Sequence, residues 1–184
     1  MMYLGKIKKM KMYSVKLVVF VFLMSLLSVF VNAQSSNIVI SYSDSLLLVV
    51  NDIPLDSNST LELLIKTLGE PSRNVVSRSG EVSYYYDKVG VVFVVKDGVF
   101  KLLGVNFLWD GDDHFPETSY TGSLFIGEKE INAETLSADI VSIETIEFIC
   151  PIPSMCVVNK RSADIRCMSG FKDKQLTQFI FLVK

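Results

Sequence analysis

His114 is the single histidine of the 184-residue chain, so any Ser/His/Asp or Cys/His relay would have to be assembled around it. It stands in Trp109-Asp110-Gly111-Asp112-Asp113-His114-Phe115-Pro116, where glycine, proline and acids read as an exposed connector. Asp110, Asp112, Asp113 and Glu117 offer the carboxylate oxygens that calcium prefers, without the loop pattern and closing glutamate of an EF-hand. Asp44, Asp52, Asp56, Glu128, Glu130, Glu144 and Glu147 are scattered among turns and helix faces, and neither Gly-x-Ser-x-Gly nor a Gly-rich phosphate loop occurs. No catalytic residue, metal or cofactor is assigned on this basis. Acidic side chains leave a small extracytoplasmic hydrolase as the alternative reading.

Tyr84-Tyr85-Tyr86 is the most suggestive surface feature. On a strand Tyr84 and Tyr86 share one face and Tyr85 takes the other. Exposed on a rigid sheet, such rings anchor a protein partner or a sugar; tyrosines capping the edge of a core are the competing reading. Cys150, Cys156 and Cys167 lie close together, and an oxidising compartment pairs two of them and leaves one thiol. Cys156 and Cys167 bracket the polar turn Asn159-Lys160-Arg161-Ser162 and are the preferred pair, a hairpin staple; Cys150 and Cys156 bracket Pro151–Met155. Zinc would require a Cys-x-x-Cys step and a fourth ligand, which are missing.

These residues need elements to hold them. Leu61, Leu64, Ile65 and Leu68 recur at helical spacing, Ser59 with Glu62 forms a capping box, and Gly69 with Pro71 stops the helix, so a helix is predicted over Thr60–Leu68. Strands are predicted at Leu46–Val50, Val82–Tyr86, Val91–Val95 and Val99–Leu108, with a hairpin at Asp97-Gly98, where both turn positions favour positive φ. Leu103, Val105, Phe107 and Trp109 alternate, which commits one face of the last strand to a core.

The same order returns at a constant offset of 76. Leu48–Val50 falls on Leu124–Ile126, Leu55 on Ile131, Ser59 on Thr135, Leu64-Ile65 on Ile140-Val141, and Lys96-Asp97 on Lys172-Asp173. Leu103, Val105 and Phe107 fall on Phe179, Phe181 and Val183. The predicted fold is therefore α+β: two tandem helix-plus-antiparallel-meander repeats forming one sheet with helices on one face. The repeats occupy residues 34–109 and 123–184, joined by an acidic linker, 110–122. In that arrangement Leu102, Asn106, Gln178 and Leu182 point away from the helices. With the tyrosines, Asn106 and Gln178 make the candidate binding patch.

Lys6, Lys8, Lys9, Lys11 and Lys16 precede an uncharged apolar run, Leu17–Val31, ending in Val31-Asn32-Ala33. Charge order, length and small residues at the cut site read as a signal peptide over residues 1–33, and the run is shorter than the roughly 20 residues that span a bilayer. No later segment reads as transmembrane, so an exported protein, periplasmic or secreted, is expected. Without the leader's five lysines the remaining residues carry a net charge near −7. An acidic chain with no basic run excludes nucleic acid as a partner.

The capped helix ending in Leu68-Gly69-Glu70-Pro71, then Tyr84-Tyr85-Tyr86-Asp87, a buried strand, an Asp-Gly turn and another strand, resembles the repeat of β-lactamase-inhibitor-like proteins. It is also similar to small outer-membrane assembly lipoprotein domains, although no lipid-accepting cysteine follows the leader. The resemblance implies a non-enzymatic module with a protein partner. The expected function is accordingly an exported, non-catalytic protein-binding module, with the hydrolase or a structural envelope protein as alternatives; oligomeric state is left open.

Overall fold

The computed structural model describes residues 37–159 and 163–184. The leader, its cleavage site and the turn residues Lys160, Arg161 and Ser162 lie outside the described residues. The described chain is mostly β, with thirteen strands in two sheets and two short helices. This corrects the α+β expectation: the second layer is a sheet, not a row of helices.

Five strands form the smaller sheet in the order β3-β2-β1-β8-β9: β1 (Val39–Tyr42), β2 (Leu48–Val50), β3 (Ile53–Leu55), β8 (Ser123–Ile126) and β9 (Lys129–Ile131). The larger sheet runs β4-β5-β6-β7-β13-β12-β11-β10. Its strands are β4 (Arg73–Val76), β5 (Val82–Tyr86), β6 (Val91–Lys96), β7 (Val99–Asn106), β10 (Phe148–Ile152), β11 (Met155–Val158), β12 (Ile165–Lys172) and β13 (Gln175–Val183). Helices α1 (Leu61–Leu68) and α2 (Ser137–Val141) connect the sheets.

One apolar core lies between the sheets. Ile40, Tyr42, Leu48, Leu124 and Ile126 from the small sheet meet Phe93, Leu103, Val105, Phe179 and Phe181 from the large one. Tyr42 crosses the core: its ring lies 5.7 Å from Phe181, and its hydroxyl donates to the Ile165 carbonyl at 2.8 Å. That bond satisfies the one polar atom a buried tyrosine brings with it.

The small sheet was hidden because its strands are only three or four residues long. Asn51 and Asp52, at φ 48° and 64°, turn β2 tightly into β3, since Asn and Asp tolerate the left-handed region. Thr60, not Ser59, is the N-cap of α1 and accepts from the Leu63 N–H at 3.4 Å. Ser59 closes the preceding turn, its Oγ accepting from the Asp56 N–H at 2.9 Å. Helix α2 has five residues and lacks a side-chain cap of the Ser/Thr kind, so it contributes only Ile140 to the core.

Pairing in the large sheet follows the offset closely. Asp97-Gly98 makes the two-residue turn between β6 and β7, with φ 52° and 78°, and Asp173-Lys174 does so between β12 and β13, with φ 51° and 71°. A β-bulge falls between Val94 and Val95 in the first hairpin and between Gly170 and Phe171 in the second. At the β7–β13 seam Gly104 lies opposite Ile180, Asn106 opposite Gln178 and Leu102 opposite Leu182. Because Gly104 and Ile180 are themselves one offset apart, a local two-fold runs through that pair.

The disulfide joins Cys150 to Cys156, not Cys156 to Cys167 as expected. Register explains the difference. Strands β10 and β11 form a tight hairpin bulged between Ile149 and Ile152, which brings the Cα atoms of Cys150 and Cys156 within 4.0 Å. Across β11–β12, Cys156 faces Ser169. Cys167 stays a buried free thiol.

Candidate functional site

The face of the large sheet turned away from the core is where the candidate binding residues were expected, and the structure assigns each a place. Tyr84 and Tyr86 belong to the core face. Tyr84 stacks on Phe93 with centroids 4.8 Å apart, and the Tyr86 hydroxyl donates to the Gly69 carbonyl at 2.7 Å. Burial pushes the Tyr86 phenol well above its usual range, with the Glu70 charge adding to the effect. Tyr85 points outward yet is only 3% exposed. The Arg73 guanidinium lies 3.7 Å over its ring and bonds Asp87 at 3.0 Å, an arrangement that holds arginine and ring together. All three tyrosines thus make contacts within the chain, Tyr84 half-buried and Tyr85 and Tyr86 buried.

Asn106 and Gln178 also point outward, and both are buried, at 0% and 9% exposure. What covers them is residues 108–120, a strap lying on the sheet that includes most of the acidic linker expected at 110–122. Phe115 is its anchor, packed with Tyr85, Val92 and Ile180. The seat exists because residue 104 is glycine: a Cβ there would lie 2.6 Å from the Phe115 ring. Asn106 ties the strap down, its Nδ2 donating to the Pro116 and Thr118 carbonyls at 2.9 and 3.1 Å. The backbone N–H of Tyr120 donates to the Asn106 carbonyl, and the Tyr120 hydroxyl to those of Ile38 and Ser123. The signal for this lock was available, since Phe115-Pro116 is an apolar pair inside an otherwise polar stretch.

Asp110, Asp112, Asp113 and Glu117 lie along the same strap. Among the described residues no group of three acids, histidines or cysteines is arranged to hold a metal. Asp110 and Asp112 instead receive the Gln178 amide at 3.5 Å and cap nearby backbone N–H groups. His114 is exposed on the strap. Asp44 and Glu147, two carboxylates of the hydrolase alternative, line a shallow cleft of about 180 Å³, where Glu147 is bonded to Asn159 at 2.7 Å. That volume is below the roughly 300 Å³ at which small-molecule pockets begin.

The strap touches β13 at Gln178 and Ile180 and β12 at Lys172, and beyond these positions the outer face is more open. Ile180, Met168, Val157 and Ile149 form one continuous row across β13, β12, β11 and β10, and all four are half-buried or exposed. Leu102 and Leu182, paired across the seam, extend it on one side, and Met155 with Ile152 on the other. The charged side chains within β12 and β13 are Arg166 and Lys172, both basic. A continuous apolar stripe with a polar rim is the composition of a surface built to be covered.

Residues 39–141 match the family described as a domain of unknown function (DUF7738). No curated protein matches the chain. Among solved structures, a cysteine-rich secretory protein from Staphylococcus aureus is similar at 15% identity and a TM-score of 0.40, over 69% of this chain and 43% of that one. The present chain thus spans less than half the length of that protein, and a likeness of this size carries no argument about function.

Proposed function

The chain belongs to the DUF7738 family, whose description names no activity, and on that footing we propose that it is an exported, non-catalytic protein-binding module acting through the outer face of its large sheet. One observation carries this reading: the row Ile180, Met168, Val157 and Ile149 is apolar and continuous, and beyond Ile180, on which Phe115 packs, it stays half-buried or exposed. Sheets that expose one face to water normally alternate apolar-in and polar-out, and the outer side departs from that rule at Val157, Met168, Ile180 and Leu182.

Export is supported by the leader sequence and by the Cys150–Cys156 disulfide, because such bonds persist in oxidising compartments. The matching registers, bulges and turns at the offset of 76 support an internal duplication. The likeness of residues 46–109 to β-lactamase-inhibitor-like repeats agrees with a binding role without catalysis.

The test compares the protein with Met168→Lys and Leu182→Lys as immobilised baits in envelope extract. A stoichiometric partner held by the parent and lost by both folded variants is expected. Equal recovery by all three baits, or turnover of a sugar or peptide panel, would overturn the proposal.

A further inference from the structure

The two sheets end in edge strands β3 and β9 on the small one and β4 and β10 on the large one. An edge strand offers N–H and C=O groups to any further strand, and proteins guard it with proline, charge or a bulge. Pro54 stands in β3, Lys129 and Glu130 in β9, and Pro151 in β10, which is also bulged and stapled by the Cys150–Cys156 bond. Strand β4, Arg73-Asn74-Val75-Val76, has neither proline nor a register shift and is exposed along its length. Its one charge is drawn onto the sheet, since Arg73 lies over the Tyr85 ring and bonds Asp87. Val75 and Val76 are 48% and 65% exposed, and no large apolar side chain of the described residues is more exposed than Val76.

The backbone decides what fits this edge. The Ser77 N–H donates to the Glu81 carbonyl, one step beyond the pair Val76 and Val82. Bonded pairs alternate along an antiparallel ladder, so Val75 and Arg73 bond β5, while the N–H and C=O of Asn74 and Val76 point out of the sheet. No strand among the described residues meets them. We infer that a second copy of this chain adds at this edge, β4 antiparallel to β4, joining the two large sheets into one. The contact goes beyond the outer-face reading and uses a different surface. About a two-fold axis perpendicular to the sheet at Val75, Asn74 of each copy lies opposite Val76 of the other, and every outward group of both residues is satisfied. Val75 meets Val75 on the axis, apolar against apolar. Glu70 precedes β4 and Arg78 follows it, both exposed and in no ion pair among the described residues. Antiparallel pairing sets the acidic end of each strand beside the basic end of the other, so charge favours this orientation over the parallel one. Because β4 is short, the contact is smaller than a standard interface and the dimer is weak and reversible.

Sedimentation velocity of the purified protein up to high concentration tests this, with dimer expected at the upper end. Val75→Lys and Val75→Glu each set like charges opposite one another on the axis, and each is expected to weaken association about tenfold or more. The decisive arm mixes the two. Lysine then faces glutamate, so the mixture associates more tightly than either variant alone. Val76→Pro removes an outward N–H and leaves the bonds from β4 to β5 in place; it too is expected to weaken the dimer. Val141→Lys, at a comparably exposed valine of α2, leaves association unchanged. Thermal melts of the Val75 variants stay close to parent, because that side chain is half in solvent. A monomer at every concentration, a mixture no tighter than its components, or a dimer that survives Val76→Pro overturns the inference. Met168→Lys, which tests the outer face, leaves this dimer intact, so the failure of either reading is told apart from the failure of the other.

Discussion

Gly104 and Phe115 act as one unit, and their energetics are testable as such. Phe115→Ala removes a buried ring and is expected to cost about 3 kcal/mol. Gly104→Ala drives a methyl into that ring's place, 2.6 Å from it and 3.1 Å from Val92, and is expected to cost about 1–3 kcal/mol through overpacking. In the double variant the two costs should be markedly sub-additive, because the alanine methyl no longer has a ring to displace; denaturant unfolding of the four proteins measures this, and strict additivity would mean the strap is not seated there. Buried groups also set an alkaline limit. Burial raises the Cys167 thiol and the Tyr42, Tyr86 and Tyr120 phenols, so each resists ionisation in the folded state while the unfolded chain ionises normally. The unfolded chain then binds fewer protons, and stability falls as pH rises. The fall begins near the free thiol value of about 8.5 and steepens beyond about 10 as unfolded tyrosines ionise. Melting temperature against pH should show this, and Cys167→Ala should remove the first part of the fall only. The alternation of the tyrosine run could be read from sequence, and it put Tyr85 on the opposite face from its neighbours. That Arg73 and Phe115 close over Tyr85 could not be read, because both come from segments whose cover depends on tertiary contact.

Turns and staples govern the elements. The two hairpins of the large sheet use the same backbone geometry, but Gly98 supplies it in one and Lys174 in the other, at φ 78° and 71°. A left-handed non-glycine residue costs roughly 1 kcal/mol, so Lys174→Gly should stabilise the protein by about that amount. Gly98→Lys should destabilise it by as much, and equal melting temperatures for the two variants would contradict the turn assignment. The Cys150–Cys156 bond closes a short loop at the sheet edge, worth about 2 kcal/mol on loop entropy. Replacing both cysteines by alanine should lower stability by that amount and speed amide exchange in β10 and β11, with β5 and β6 unaffected; uniform acceleration would mean the edge is not a local unit. At this scale the Asp97-Gly98 hairpin and the core alternation of Leu103, Val105, Phe179 and Phe181 were legible, since turn chemistry and period-two burial are local signals. The small sheet was not. Its strands are three or four residues long and β1 pairs in parallel with β8, Val39 with Ser123 and Tyr42 with Ile126, far apart in sequence and without a local cue. The cysteine pairing was misread for a similar reason, because a bulge in β10 shifts Cys150 toward Cys156.

At the scale of the whole molecule, the small sheet covers one face of the large one and the strap crosses the other from β12 and β13 to β5. The sequence placed Leu102, Asn106, Gln178 and Leu182 on that outer side, and strand alternation does so as well. Burial then separated them, leaving Leu102 and Leu182 beside the bare stripe and Asn106 and Gln178 beneath the strap. The central claim is that the uncovered stripe is the surface through which the protein binds. Site-specific photo-crosslinking in the producing cells tests it most directly, with the crosslinking residue at Leu182 on the outer face and, separately, at Glu130 beyond the small sheet. Discrete adducts, with another protein or with a second copy, are expected from Leu182 and not from Glu130. Adducts from Glu130 alone, or from neither position, would contradict the account.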